Sequence, residues 1–355
     1  MVIAVDIGGT GIKCALVDAG HAVVHAERHP TGADRGPDAV LATILGITAG
    51  LAETARAAGL TPVAVGMVAP GVIDEANGVA AWSANVGFRS VPLRDLVSSH
   101  VRLPVALGHD VRAGGLAEAR IGAGRGVRRV WFVPVGTGIA AAYVVDGRTD
   151  PGAHGASGEI GHVMVRPDGP PCACGARGCV ETLASASAIA RRYAERGGGT
   201  ASAREVAEGA AGGDPVARAV WDEAVDALAD GLRIGIGLYD PDRIILGGGL
   251  AEAGDALLEP LAETVRARLT FQTMPELVRA ALGDEAGCLG AALLGFEAAG
   301  RTTDDPAGTA PAGTAPAGTA PAGTAPAGDA VGTDRPGATD RAGTTTPDQA
   351  QDGSR

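Results

Sequence analysis

The sequence predicts an α/β fold of two domains with a cleft between them, and three observations carry that reading. The chain has 355 residues, of which 46% are hydrophobic and 20% charged, enough for two ordinary domains with a sizeable core. Strand-like and helix-like segments alternate along it. Each half also opens in the same way, on an apolar strand, a glycine-rich turn and a strand that returns. Such a repeated opening points to a duplicated domain.

Taken in order, Val2–Val5 and Lys13–Val17 form a hairpin around a glycine turn, and His21–Glu27 continues as a third strand. Residues 37–58 carry helical periodicity. The apolar run Val63–Val68 stops at Ala69-Pro70-Gly71, and Asn77-Gly78 reads as a hairpin turn. A short strand, Pro104–Leu107, leads into a helix of small residues over 110–121. The second half begins with Val130–Val135, turns at Gly136-Thr137-Gly138 and returns as Ile139–Val145. Helices follow at 184–196, 203–211 and 215–238. Ile244–Leu246 is a strand ending in Gly247-Gly248-Gly249, and the helix Leu289–Ala299 closes the pattern. The domains are expected at 1–112 and 113–288, with the last helix completing the first. After Gly300 the composition changes. Residues 306–325 are four copies of Pro-Ala-Gly-Thr-Ala, and 301–355 is expected to be a disordered tail because it has too little apolar surface to offset its ordering entropy.

The net charge of −12 argues against a general nucleic-acid binder, which would show a basic face. No apolar run is read as reaching the roughly 18 residues of a membrane span, and the N-terminus lacks a secretory leader pattern, so a cytoplasmic protein is expected. The five cysteines agree. Cys172, Cys174 and Cys179 cluster within eight positions, which suggests a metal rather than a disulfide framework. Lys13 is the only lysine in the chain.

Two constellations carry chemistry. In Asp6-Ile7-Gly8-Gly9-Thr10-Gly11-Ile12-Lys13, glycines let backbone N–H groups approach a phosphate closely. Thr10 adds a hydroxyl, Lys13 a positive charge and Asp6 a carboxylate suited to a hydrated Mg²⁺. In the second, Glu159, His162, Cys172, Cys174, Cys179 and Glu181 fall within one stretch. One imidazole and three thiolates make a closed tetrahedral zinc set with no open position, a brace rather than a catalyst.

The first motif resembles the first phosphate loop of the sugar kinase, Hsp70 and actin superfamily. Gly136-Thr137-Gly138 resembles its second phosphate loop, and Gly247-Gly248-Gly249 its adenosine-side turn. The Glu-x-Gly-His and Cys-x-Cys-Gly-x-x-Gly-Cys-x-Glu pattern is similar to the signature of the ROK (repressor, open reading frame, kinase) family, over residues 1 to about 300. That resemblance implies an actin-like (RNase H-like) two-domain ATPase fold. It also implies an ATP-dependent hexose kinase of the glucokinase type, using Mg²⁺ and a structural Zn²⁺ and assembling as a dimer or tetramer. Asn85, Glu159, His162 and Glu181 then match sugar-binding positions. Asp110 matches the catalytic base, against the plainer reading that it caps the helix after it. His109 stands where the family has asparagine, so an imidazole replaces an amide beside the sugar.

Rival readings are a ROK repressor, for which no helix-turn-helix segment precedes the loop at residue 6, a non-catalytic sugar sensor, and a polyphosphate-using kinase. Among substrates, N-acetylglucosamine and N-acetylmannosamine stand beside glucose, and Asp168-Gly169-Pro170 resembles the N-acetylmannosamine kinase version of the zinc loop. His21, His25, His29, His100 and His154 show no ligand partners at metal spacing.

Overall fold

A computed structural model describes residues 1–300; the tail expected over 301–355 lies outside the described residues. Strands β1 (Val2–Ile7), β2 (Gly11–Val17) and β3 (Val23–Pro30) form an antiparallel meander. Val2, Ile3, Ala4, Val5 and Ile7 are all buried, an apolar strand covered on both faces and interrupted only by Asp6. Helix α1 (Pro37–Ala57) begins with proline at its first position, where the missing N–H costs nothing. Its Val40, Ile44, Leu51 and Ala55 share a buried stripe against the first sheet. Helix α1 is long and apolar enough on average to pass a membrane-span test, but its apolar run is broken by Asp38 and Glu53, and it lies along the sheet with that stripe in the core.

Strand β4 (Val65–Ala69) joins β1 in parallel. A small sheet of β5 (Val72–Asp74), β6 (Val79–Ser83) and β7 (Phe88–Val91), then helix α2 (Leu93–Val101), precede β8 (Val105–His109), which pairs parallel to β4. The first sheet therefore runs β3-β2-β1-β4-β8. Helix α3 (Asp110–Ile121) follows without a loop.

The second half repeats this order. Strands β9 (Arg129–Pro134), β10 (Ala142–Val145) and β11 (Arg148–Thr149) form the meander. Helices α4 (Val180–Ala184), α5 (Ala186–Glu195), α6 (Ala203–Ala211) and α7 (Pro215–Tyr239) lead to β12 (Arg243–Gly247), parallel to β9. Helix α8 (Asp255–Arg268), β13 (Glu276–Arg279) and α9 (Ala286–Ala298) complete the described residues, giving a sheet ordered β11-β10-β9-β12-β13. Two sheets with one topology are the duplication legible in the sequence.

The differences are local. The third strand starts at Val23, because His21 takes a left-handed turn at φ 66°. The helix read over 184–196 is broken at Ser185, whose extended backbone and hydroxyl, accepting the Ala188 N–H, cap a new helix. Ile139 makes only an isolated bridge to Val135, so the returning strand begins at Ala142. Strands β5, β6, β7 and β13 and helices α2 and α8 went unread; the strands have three to five residues each, and α8 has Pro260 inside it.

Helices α3 and α9 join the halves. Helix α9 packs on β1, β4 and β8, and α3 packs on α9, β9 and β10. A Cβ on Gly290 would come within 2.2 Å of the Ala113 carbonyl, so this helix pair can approach only through glycine.

Candidate active site

The phosphate-type hairpin is folded tightly by its own backbone. Gly8 N–H donates to the Gly11 carbonyl at 2.9 Å, and Asp6 and Lys13 are cross-strand partners. A Cβ on Gly8 would lie 2.7 Å from the Gly11 oxygen, and one on Gly9 would lie 3.0 Å from Asn85 Cβ. Glycine therefore closes the turn and lets Asn85, from the β6–β7 turn, sit against it. Thr31 fixes the outside of this turn, donating its hydroxyl to Gly8 O at 2.6 Å and its N–H to Thr10 O at 3.1 Å.

Lys13 pairs with the Asp284 carboxylate and donates to the Asp284 carbonyl at 3.0 Å. Arg28 meets the same carboxylate at 2.7 Å. Burial acts to raise the Asp284 pKa, but the hydrogen bonds and charges of Lys13 and Arg28 together hold it below its ordinary value. Asp6 goes the other way. Burial pushes its pKa up to about 6, against Lys13 and with the help of Asp110 and Asp284.

Asp6, Lys13 and Asp110, all near the ends of first-sheet strands, share a cavity of about 430 Å³ with Gly247, Gly248 and Gly249. That size suits a small cofactor. Gly248 has φ 74°, and a Cβ there would sit 2.5 Å from the Val135 carbonyl, so the end of β12 lies directly beside the second glycine turn. In that turn Gly136 N–H donates to Gly138 O at 2.9 Å, and Ser187 donates to Thr137 O at 2.6 Å.

The start of α3 is built around two carboxylates. His109 is the N-cap residue, its Nδ1 accepting the Val111 N–H at 3.2 Å, while Asp110 Oδ1 accepts the same N–H at 2.8 Å. The cap position thus falls to His109, and Asp110 is the first residue of the helix. Burial lowers the His109 pKa although Asp110 acts to raise it, so the imidazole is neutral near pH 7. With Nδ1 accepting, the ring proton belongs on Nε2. Glu75, from the β5–β6 turn, accepts the His109 N–H at 3.2 Å and Arg112 Nε at 2.9 Å. Arg112 is 4% exposed, and its Nη1 reaches the Gly155 carbonyl at 3.2 Å. Its Nη2 lies 2.8 Å from Glu75 but lacks an aligned acceptor.

The Glu159 charge reaches His109, and three residues after Glu159 comes the histidine of the cysteine loop. One donor atom from each of His162, Cys172, Cys174 and Cys179 falls within 4.8 Å of the others, and no cysteine is in a disulfide. His162 Nδ1 is 3.5 Å from Cys172 Sγ, while its Nε2 points to Glu159 at 3.8 Å. The ring therefore turns one nitrogen to the thiols and the other to a carboxylate. Glu181, at the start of α4, accepts the Ile139 N–H at 2.8 Å, tying this loop to the second glycine turn.

The profile of the ROK family matches residues 2–297. The chain belongs to the ROK family. It is 32% identical to a glucokinase of Streptomyces coelicolor over 84% of this chain and 98% of that protein. It is 30% identical to an N-acetylmannosamine kinase of Citrobacter koseri over 82% and 97%. Among solved structures, a ROK family glucokinase from Streptomyces griseus in complex with glucose and AMPPNP superposes with a TM-score of 0.70 at 31% identity, over 83% of this chain and 99% of that one. The fold is accordingly the actin-like ATPase fold of ROK sugar kinases.

Within this ROK fold the predicted residues fall into two groups. Asp6, Lys13, Asp110 and Gly247–Gly249 share the cavity. The others do not line it: Asn85 sits against Gly9 of the first glycine turn, Glu181 of α4 meets the Gly136–Gly138 turn through Ile139, His109 caps α3 beside Asp110, and His162 turns to Glu159. Sequence reasoning missed Glu75, Arg112, Thr31 and Asp284. Arg112 had one signal: a long cation among the small residues that follow Asp110. The other three are brought in by tertiary pairing and had none.

Proposed function

We propose that this chain is an ATP-dependent hexose kinase acting on the 6-hydroxyl of glucose. The observation that carries the reading is the cavity where Asp110 faces Asp6, Lys13 and the Gly247–Gly249 turn, in a ROK chain similar to glucokinases over most of its length. Phosphoryl transfer needs positioning, charge neutralisation and a proton acceptor, and this arrangement offers each.

Asp110 accepts the proton of the 6-hydroxyl as its oxygen bonds to the γ-phosphorus and the bond to the β-phosphate oxygen breaks, releasing ADP. Asn85, Glu159 and Glu181 accept or donate hydrogen bonds at the other hydroxyls, and neutral His109 offers its Nε2–H. Gly8, Gly9, Thr10 and Lys13 receive the outer phosphates, Gly136, Thr137 and Gly138 the opposite side, and Gly247–Gly249 the adenosine. Lys13 must exchange Asp284 for phosphate as ATP enters. Asp6 would hold hydrated Mg²⁺, which supplies positive charge to the transferring group.

The donor set of His162, Cys172, Cys174 and Cys179 fits Zn²⁺ in a closed structural site. Zinc on Nδ1 would fix the His162 ring and leave Nε2 for a sugar hydroxyl. We place the domain boundary near residue 112, with 289–299 completing the first domain. Free cysteines fit a cytoplasmic enzyme, and a dimer or tetramer follows from family resemblance alone.

The second reading is an N-acetylhexosamine kinase, favoured by the N-acetylmannosamine kinase relative and by His109 in the sugar site. Purified protein with ATP and a panel of glucose, N-acetylglucosamine and N-acetylmannosamine separates them. ADP release with glucose 6-phosphate as product at the highest kcat/KM supports the first reading. A preference for either N-acetyl sugar overturns it.

A further inference from the structure

On the first sheet, away from the cavity, the described residues include a second group of metal-type ligands. His25, Glu27 and His29 alternate along β3 and so share one face of this edge strand. The register places Cys14 of β2 directly opposite Glu27, on the same face. Glu27 spans the two imidazoles, with Oε1 2.7 Å from His25 Nε2 and Oε2 2.9 Å from His29 Nε2. Donor atoms of Cys14, Glu27 and His29 all lie within 4.8 Å of one another. His25 and His29, which show no partner at the linear spacing of a metal motif, find one in Glu27 two residues away on the same strand face, with Cys14 added across the strands.

We propose that Cys14, Glu27 and His29 form a second site for a divalent transition metal of the zinc type, with His25 orienting Glu27 from outside. Thiolate, carboxylate and imidazole together suit a borderline ion such as Zn²⁺ or Co²⁺ and disfavour Mg²⁺ and Ca²⁺, which prefer oxygen alone. With bonds of about 2.0–2.3 Å, donor atoms around a tetrahedral ion sit roughly 3.3–3.7 Å apart. The carboxylate and imidazole, now hydrogen-bonded at 2.9 Å, would open slightly around the ion, and the thiol, within 4.8 Å of both, would draw in.

Access is open from one side. Cys14 is 1% exposed and forms the floor, while the Glu27 and His29 side chains are 35% and 36% exposed and form the rim. Binding displaces the Cys14 proton, which the buried thiol otherwise donates to the Glu27 carbonyl at 3.6 Å. Three protein ligands leave the fourth position to water. An ion here would pin edge strand β3 to β2 one residue from Lys13. The site is separate from the Cys3His loop and does not depend on the kinase reading.

The test is a metal count on full-length protein equilibrated with Zn²⁺ and desalted, beside a Co²⁺ titration followed by the near-ultraviolet thiolate band. Wild type is expected to hold one more equivalent than His29→Ala or Glu27→Gln, neither of which has a part in the proposed catalysis. His25→Ala should keep the stoichiometry and bind that equivalent about 10–100-fold more weakly. Cys14→Ser should lose the second increment of the cobalt band; since it alters a buried side chain, the rim variant His29→Ala carries the test if the serine protein does not fold. Equal zinc in wild type and His29→Ala overturns the proposal, as does a second cobalt equivalent that adds no thiolate band.

Discussion

Asp6 shows how a single carboxylate links fold and function. Burial raises its pKa from 3.8 to about 6, so the native state binds this proton more tightly than the unfolded chain. That contribution stabilises the fold as pH falls from about 6 towards 4 and is absent above it. Cation binding has the opposite requirement, since it needs the ionised form. The apparent Mg²⁺ affinity, read from turnover against Mg²⁺ concentration, is therefore expected to weaken as pH is lowered through about 6, and Asp6→Asn to abolish that dependence along with most activity. A flat Mg²⁺ affinity across this range would contradict the role of Asp6. At this scale the sequence was most legible where chemistry demands residue types in one short run, as in Asp6–Lys13 and the cysteine loop. It was silent on Asp284, which meets Lys13 only through a contact 271 positions away, and on Cys14–Glu27–His29, which strand register assembles.

Helix α3 is the element on which the site turns, because it carries Asp110 and is anchored by Arg112. Removing one member of a buried ion pair leaves the other charge uncompensated. Arg112→Ala should destabilise the protein by about 3 kcal/mol, taken at the low end because the Glu75 side chain is 29% exposed. The pairing also fixes the His109 N–H and the Gly155 carbonyl, so kcat is expected to fall in variants that still fold. The double change Glu75→Gln with Arg112→Met should regain part of the stability lost in Arg112→Ala. Denaturant melts of the three proteins check this; no difference between Arg112→Ala and wild type would show that the pair holds nothing. Element types were legible wherever a long periodic run existed, as in α1 and α7. Boundaries failed where a single side chain decided them, as Ser185 does by capping α5. The cysteine loop belongs here too. Cys174→Ser should lose bound zinc and active protein together, and full activity in the metal-depleted variant would contradict a structural site.

Across the whole molecule, the two five-stranded sheets share one strand order, and the repeated strand-turn-strand opening makes that duplication readable in the sequence. How closely α3 and α9 join the halves was not readable, since the contact depends on Gly290 meeting the Ala113 carbonyl and no local pattern marks it. The low-complexity composition of residues 301–355 offers little to bury, so a chain ending at Gly300 is expected to match the full protein in turnover and melting temperature; a large loss in either would show that the repeats act on the body. What the assembled cleft is for rests on Asp110. The direct measurement is glucose 6-phosphate formation from ATP and glucose by wild type and Asp110→Asn, with affinities for both substrates taken on the same samples. Asparagine keeps the side-chain oxygen that accepts the Val111 N–H but cannot take the sugar proton. The account predicts that turnover falls about 10²–10⁴-fold while glucose and ATP still bind; retention of most of the wild-type rate would contradict it.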